Sequence, residues 1–212
     1  MHRIDEEKTA ARAAEMLLLT VLRPTELCRS EWIEVDWNEN LLIVPRKRMK
    51  VKKNRHGMPH TIPLPSRGME ILHEMRELHP GDFIFQGSRQ GRSAEIKENF
   101  AAANPDAKGW PMERSSLHYL VRKLGYDRDP HALRSTFSDW AYAQRRFRVF
   151  AIEYSLDHTV HGRMPDYRTT VAGRYHRDTH LDEHRELLQL HIEIFRRVRG
   201  CVPRRLPAST PA

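Results

Sequence analysis

The chain reads as a mixed α/β domain, mainly α, with a small three-stranded antiparallel sheet and C-terminal helices. Two observations carry this reading. Most of the longer segments space their apolar residues at helical intervals, as Ala10, Ala13 and Leu17 do. Between the first two helical stretches and the later ones lie three short apolar runs separated by turn or basic residues.

Residues 5–21 are expected to form a helix, and Arg23 sits at the joint before Pro24. Proline is a natural first residue of the next, short helix, PTELCRSEW. Ile33–Asp36 reads as a strand, WNEN as a turn, LLIVP as a second strand and MPHTIPL (58–64) as a third. A dense basic run, Arg46, Lys47, Arg48, Lys50, Lys52, Lys53 and Arg55, joins the second strand to the third and forms a hairpin tip. Residues 66–79 are expected to be a helix opened by a serine cap, and DFIF a short extended piece. Residues 86–111, with Gly, Ser, Asn and Pro, read as a long loop.

Beyond that the pattern is helical. MERSSLHYLVRKLG ends in a glycine suited to a C-cap, and Asp129-Pro130 sets up a helix from near His131. Another helix runs through VFAIEYSL to near Asp157, followed by an irregular stretch, 159–173. DTHLDEHRELLQLHIEIFRRV closes the chain, with Leu181, Leu188, Ile192 and Phe195 as its apolar stripe. Residues 1–199 are expected to form one domain, and 200–212, with three prolines, a disordered tail.

Composition narrows the function. The chain has 212 residues, 39% hydrophobic and 30% charged, which suits a globular protein with a sizeable core. No apolar run approaches the roughly 20 residues that span a bilayer, so no membrane association is expected and the compartment expected is the cytoplasm. Cys28 and Cys201 lie too far apart in sequence to suggest a disulfide framework, and two cysteines alone cannot make a zinc cluster. A net charge of +8 favours an anionic partner. A second basic group, Arg145, Arg146 and Arg148, adds to it. The chain lacks a glycine-rich phosphate loop, which leaves nucleotide hydrolysis without support. His176, His180 and His184 recur at four-residue spacing. HLDEH is not the HExxH zinc pattern, and a solvated helical face is the expectation there.

The chemistry-bearing residues fall in a fixed order: Arg23, Lys50, His131, Arg134, His158 and Tyr175. Paired arginines suit the non-bridging oxygens of a phosphodiester, because guanidinium offers fixed bidentate donors and stays charged. In HALR, His131 and Arg134 stand one helical turn apart and share a face. Histidine titrates near neutrality and can move a proton. A tyrosine with an ordinary pKa of about 10 needs nearby cations to become a nucleophile.

Three contexts, TVLRPTEL around Arg23, DPHALRSTFSDW around His131 and Arg134, and GRYHRDTHLDEHRELLQ around Tyr175, resemble the catalytic domain of tyrosine recombinases. The likeness is to the integrase branch of prophages and genomic islands, and it spans Leu17 to Phe195. The resemblance implies site-specific cleavage and rejoining of double-stranded DNA through a 3′-phosphotyrosyl intermediate, with no cofactor, ATP or metal. Arg23 and Arg134 would stabilise the transition state, His131 and His158 would serve the phosphate and the proton, and Tyr175 would attack. Lys50 at the hairpin would be the general acid, with Lys52 and Lys53 as close competitors. Arg46, Lys47, Arg48, Lys52, Lys53 and Arg55 would contact DNA. Glu26 would brace the arginine loop, and a homotetramer would assemble on two duplexes.

Tyr167 is the rival nucleophile, nine residues after His158, whereas Tyr175 has the better downstream context. The sequence departs from the family in three ways. Only 22 residues precede Arg23, so the family's N-terminal core-binding domain is expected to be absent. Asp157 stands where a small residue is usual, and the stretch from His158 to Tyr175 is long. A truncated relative that binds DNA without turnover is the alternative reading.

Overall fold

The computed structural model describes residues 2–49, 59–88, 92–127, 129–158 and 181–194, with backbone alone for 2–6. Helix α1 covers His2–Thr20 and α2 covers Pro24–Cys28. The sheet follows: β1 Val35–Asp36, β2 Leu41–Val44 and β3 His60–Pro63, antiparallel in that order, with Leu42 opposite Ile62. Then come α3 Ser66–Leu78, α4 Ala94–Ala103, α5 Arg114–Lys123, α6 Ala132–Ala143 and α7 Val149–Ser155. A last helix, α8, covers 181–194. The predicted class, mainly α with a small three-stranded antiparallel sheet, is what the chain adopts.

Details differ from the sequence expectations for identifiable reasons. The first strand is only two residues long, because Trp32–Glu34 winds into a 3-10 turn that throws Ile33 outward, 89% exposed. Asn40 closes the β1–β2 turn at φ 54°, a conformation asparagine tolerates. Ser66 does not cap α3: the cap position belongs to Pro65, and Ser66 is the first helical residue.

The largest miss is α4, inside the stretch read as a loop. Ser93 Oγ accepts from the Ile96 N–H at 3.3 Å and starts it. Phe100 then packs on Trp110 with ring centroids 4.2 Å apart, and the Arg92 guanidinium lies over the same indole at 4.9 Å. The expected glycine cap of α5 is present. Gly125 takes φ 85°, and the paired bonds Gly125 N–H to Arg122 and Tyr126 N–H to Val121 close a Schellman motif.

The core is continuous from α1 through the sheet to α8. Leu17, Leu22, Leu42, Ile62, Phe85, Phe137 and Leu188 are all buried in it. An ion-pair lattice clamps α1 to α3: Arg12 reaches Glu74 at 2.6 Å and Arg67 reaches Glu15 at 2.8 Å.

The inner face of α8 carries two buried histidines, a correction to the solvated face expected for His184. His184 is fully buried, its ring parallel to that of His60 from β3 at 6.4 Å, with the ring of Tyr154 from α7 edge-on to both. His191 packs against Phe137 and Trp140 of α6 and hydrogen-bonds the Leu18 backbone of α1. His176 and His180 lie outside the described residues, as does Phe195. The second basic group is also spoken for in part: Arg146 pairs with Glu186, and Arg148 with Glu183.

Burial lowers the pKa of His191 to about 4, against an ordinary 6.5. A neutral imidazole is therefore required in the fold. The associated stability is fully present above pH 6.5 and is lost as pH falls toward 4, roughly 3 kcal/mol in all. Thermal melts across that range should show the loss, and His191→Gln should flatten the slope.

Candidate active site

Two turns, 134 residues apart in sequence, meet at Arg23 and Asp157. The first links α1 to α2. Val21 sits there at φ 48°, an unusual conformation for a β-branched residue and one that costs energy unless its surroundings enforce it. The second ends α7. His158 N–H bonds Glu153 and Asp157 N–H bonds Tyr154, so Asp157 occupies the left-handed position of a Schellman motif, at φ 52°.

These turns expose three backbone carbonyls toward the arginines. Arg134, on α6 and only 4% exposed, donates Nη1 to the Val21 carbonyl and Nη2 to the Leu156 carbonyl. Arg23 donates Nη2 to the Asp157 carbonyl at 3.0 Å. Its Nη1 reaches two carboxylates, Glu26 Oε1 at 2.9 Å and Asp157 Oδ2 at 2.5 Å. Both acids are almost completely buried, and the Arg23 side chain is 12% exposed. Glu26 also accepts from the backbone N–H of Arg23 at 3.4 Å, so it braces the loop from both sides.

The electrostatics follow from crowding. Burial, reinforced by the positive charge of Arg23, lowers the pKa of Arg134 to about 10, which leaves it charged at neutral pH. Arg23 moves the other way: burial opposes its charge, but Glu26 and Asp157 outweigh burial and raise its pKa. His131 lies at the start of α6, exposed, with its backbone N–H donating to Asp129 Oδ1 at 2.8 Å. Its pKa is lowered, first by desolvation and then by Arg134. His131 is therefore biased toward a neutral imidazole able to accept a proton. His158 is half-exposed, and its Nδ1 meets Glu153 Oε2 at 2.9 Å, which orients the ring.

Arg23, Arg134, His131 and His158 thus come from three separate segments, the α1–α2 turn, the start of α6 and the end of α7, to one region around the two turns. Lys50 and Tyr175 lie outside the described residues, as do Lys52, Lys53, Arg55 and the rival Tyr167. Of the basic run, Lys47 is exposed and Arg46 partly so. Arg48 turns inward. Its Nε donates to Glu34 Oε1 at 2.8 Å, Nη2 binds Glu34 Oε2, and Nη1 donates to the Glu26 carbonyl at 3.0 Å. Arg48 is therefore a strut between the sheet and the arginine loop, not a free surface cation. Sequence reasoning gave no sign of Glu34, nor of the three carbonyls. An acidic residue inside the predicted first strand, two strands' length from a basic hairpin stem, was the available clue to Glu34.

The phagelike contexts are matched by comparison with known proteins. The phage integrase family profile matches residues 1–170. The chain belongs to the phage integrase family. Prophage integrase IntZ of Escherichia coli K12 is 27% identical over 181 residues, covering 84% of this chain and 37% of that protein. The integrase of Enterobacteria phage P4 is 26% identical over 191 residues, covering 84% of this chain and 38% of its own length. This chain thus spans well under half of the curated integrases it matches. The crystal structure of XerA recombinase aligns with a TM-score of 0.45 at 18% identity, over 82% of this chain and 62% of that one. Among the described residues, no helix of this integrase-family chain is long and apolar enough to cross a membrane.

Because Glu34 is buried against Arg48, removing one partner strands the other. Glu34→Gln and Arg48→Ala should each cost roughly 2–4 kcal/mol in denaturant unfolding. Lys47→Ala, at an exposed position of the same turn, should change stability by less than about 0.5 kcal/mol.

Proposed function

We propose that this chain is the catalytic part of a site-specific DNA recombinase that cleaves and rejoins double-stranded DNA through a 3′-phosphotyrosyl link. The observation that carries this reading is the convergence of Arg23 and Arg134, held side by side by backbone carbonyls. Nothing about packing requires two guanidinium groups in one nearly buried place. A phosphodiester does: its two non-bridging oxygens need fixed donors that stay charged as the pentacoordinate transition state forms.

In this reading Tyr175 attacks the scissile phosphorus and the 5′-oxygen leaves. His131, biased neutral, takes the tyrosine proton or holds a phosphoryl oxygen, and His158 is the second donor. Lys50 protonates the 5′-oxygen as general acid. The 5′-hydroxyl of a partner strand then attacks the phosphotyrosine, restoring the phosphodiester and freeing the tyrosine. Bond energy is conserved through the cycle, so the chemistry calls for neither ATP nor a metal. Duplex DNA is the partner, bound through Arg46, Lys47, Lys52, Lys53 and Arg55, with a homotetramer as the synaptic assembly. The second reading, DNA binding without turnover, draws on the Asp157 carboxylate that sits against Arg23.

Covalent trapping separates the readings. Protein is mixed with a pool of nicked duplexes, and adducts are counted after denaturation. A labelled adduct should form with wild type and vanish in Tyr175→Phe. Loss in Tyr167→Phe instead would move the nucleophile. Arg23→Ala and Arg134→Ala should each slow adduct formation by about 10²–10³. Binding should weaken with salt at a log–log slope of about −0.9 per phosphate contacted, and a flat response would count against any DNA role.

A further inference from the structure

We propose that Asp157 is a built-in anion paired with Arg23, so that substrate phosphate must compete with its carboxylate for the guanidinium before the arginine pair can act. The inference rests on the reading of Arg23 and Arg134 as the phosphate site.

The argument begins with what the arginines need in order to be held. Arg134 is positioned by the carbonyls of Val21 and Leu156. Arg23 is positioned by the Asp157 carbonyl, which any residue at 157 would supply, and by Glu26, which also bonds the Arg23 backbone. Glu26 is in turn fixed through its own carbonyl by Arg48. The Asp157 carboxylate adds a second anion to that scaffold and meets Arg23 Nη1 at 2.5 Å, closer than Glu26 does.

The charge count points the same way. Glu26 alone would leave the two arginines with one net positive charge, matched to a phosphodiester. Adding Asp157 cancels the remaining charge, so an incoming phosphate meets a neutral site and a nearby like charge. Backbone geometry adds an independent reason to notice this position. At φ 52° an aspartate is tolerated but glycine is preferred, so the turn itself does not call for a carboxylate.

The test uses the full chain and two probes. Inorganic phosphate is titrated at constant ionic strength while the melting temperature is followed, and the nicked-duplex pool reports adducts. Asp157→Asn keeps the shape and the left-handed turn, and Asp157→Gly relieves the turn, so failure of one to fold leaves the other. Both should bind phosphate roughly tenfold more tightly than wild type, and the gain should vanish when Arg23→Ala is added. Adduct formation should rise by a similar factor. Equal phosphate affinity in wild type and both variants would overturn the proposal. So would slower adduct formation in both variants, which would make the carboxylate a positioning group. Tighter phosphate binding with no adduct in any variant would uphold the anion role of Asp157 while removing the strand-transfer reading.

Discussion

Two arginines held close together in a nearly dry place repel each other and lose their water. The structure answers with backbone carbonyls and, at Arg23, with the buried carboxylates of Glu26 and Asp157. The carbonyls of Val21 and Leu156 hold Arg134, and that of Asp157 holds Arg23. Carbonyls are fixed dipoles that need no counter-charge, so they orient the cations without neutralising them. To aim them, the chain must turn through left-handed conformations at Val21 and Asp157, neither of which is glycine. The arrangement of α1, α6, α7 and α8 serves to keep those two turns facing one another. The two buried histidines of α8 contribute directly, one against the α7 and β3 side and the other against α1 and α6.

Much of this was legible in the sequence, and the reason differs by element. Helices with apolar residues at regular spacing, such as α6 and α7, declared themselves because burial imposes the period. The glycine cap at Gly125 was readable because a left-handed turn has a strong residue preference. Helix α4 was obscured by the Gly, Ser, Asn and Pro around it, and its docking depends on Phe100 meeting Trp110, a contact no local pattern reveals. His184 looked like part of a polar face because its neighbours in sequence are charged. Its burial depends on His60, more than a hundred residues earlier.

The site divides along the same line. The candidate side chains stand in an order that the sequence displays, so Arg23 and the HALR segment could be picked out and prove to be neighbours in space. Backbone acceptors have no residue signature, so their role emerges only with the fold. Asp157 is the instructive middle case. Its identity was visible as a departure from the family pattern, but what it touches was not. Arg48 is the reverse: its place in a basic run suggested a surface role, while its actual partners are Glu34 and the Glu26 carbonyl.

That strut at Arg48 has a bearing on how this fold can be recombined with its relatives. A hairpin is normally the easiest piece to exchange between homologues, because its ends are adjacent and its interior is self-paired. Here the stem beyond β2 is bolted to the 3-10 turn before β1 and to the loop behind Arg23. A transplanted hairpin without an arginine at 48 would leave Glu34 buried with no cation and loosen Glu26 beneath Arg23. The smallest transferable module is therefore not the hairpin. It is the hairpin together with Glu34 and the PTEL helix, three segments that chain order separates and one guanidinium makes inseparable.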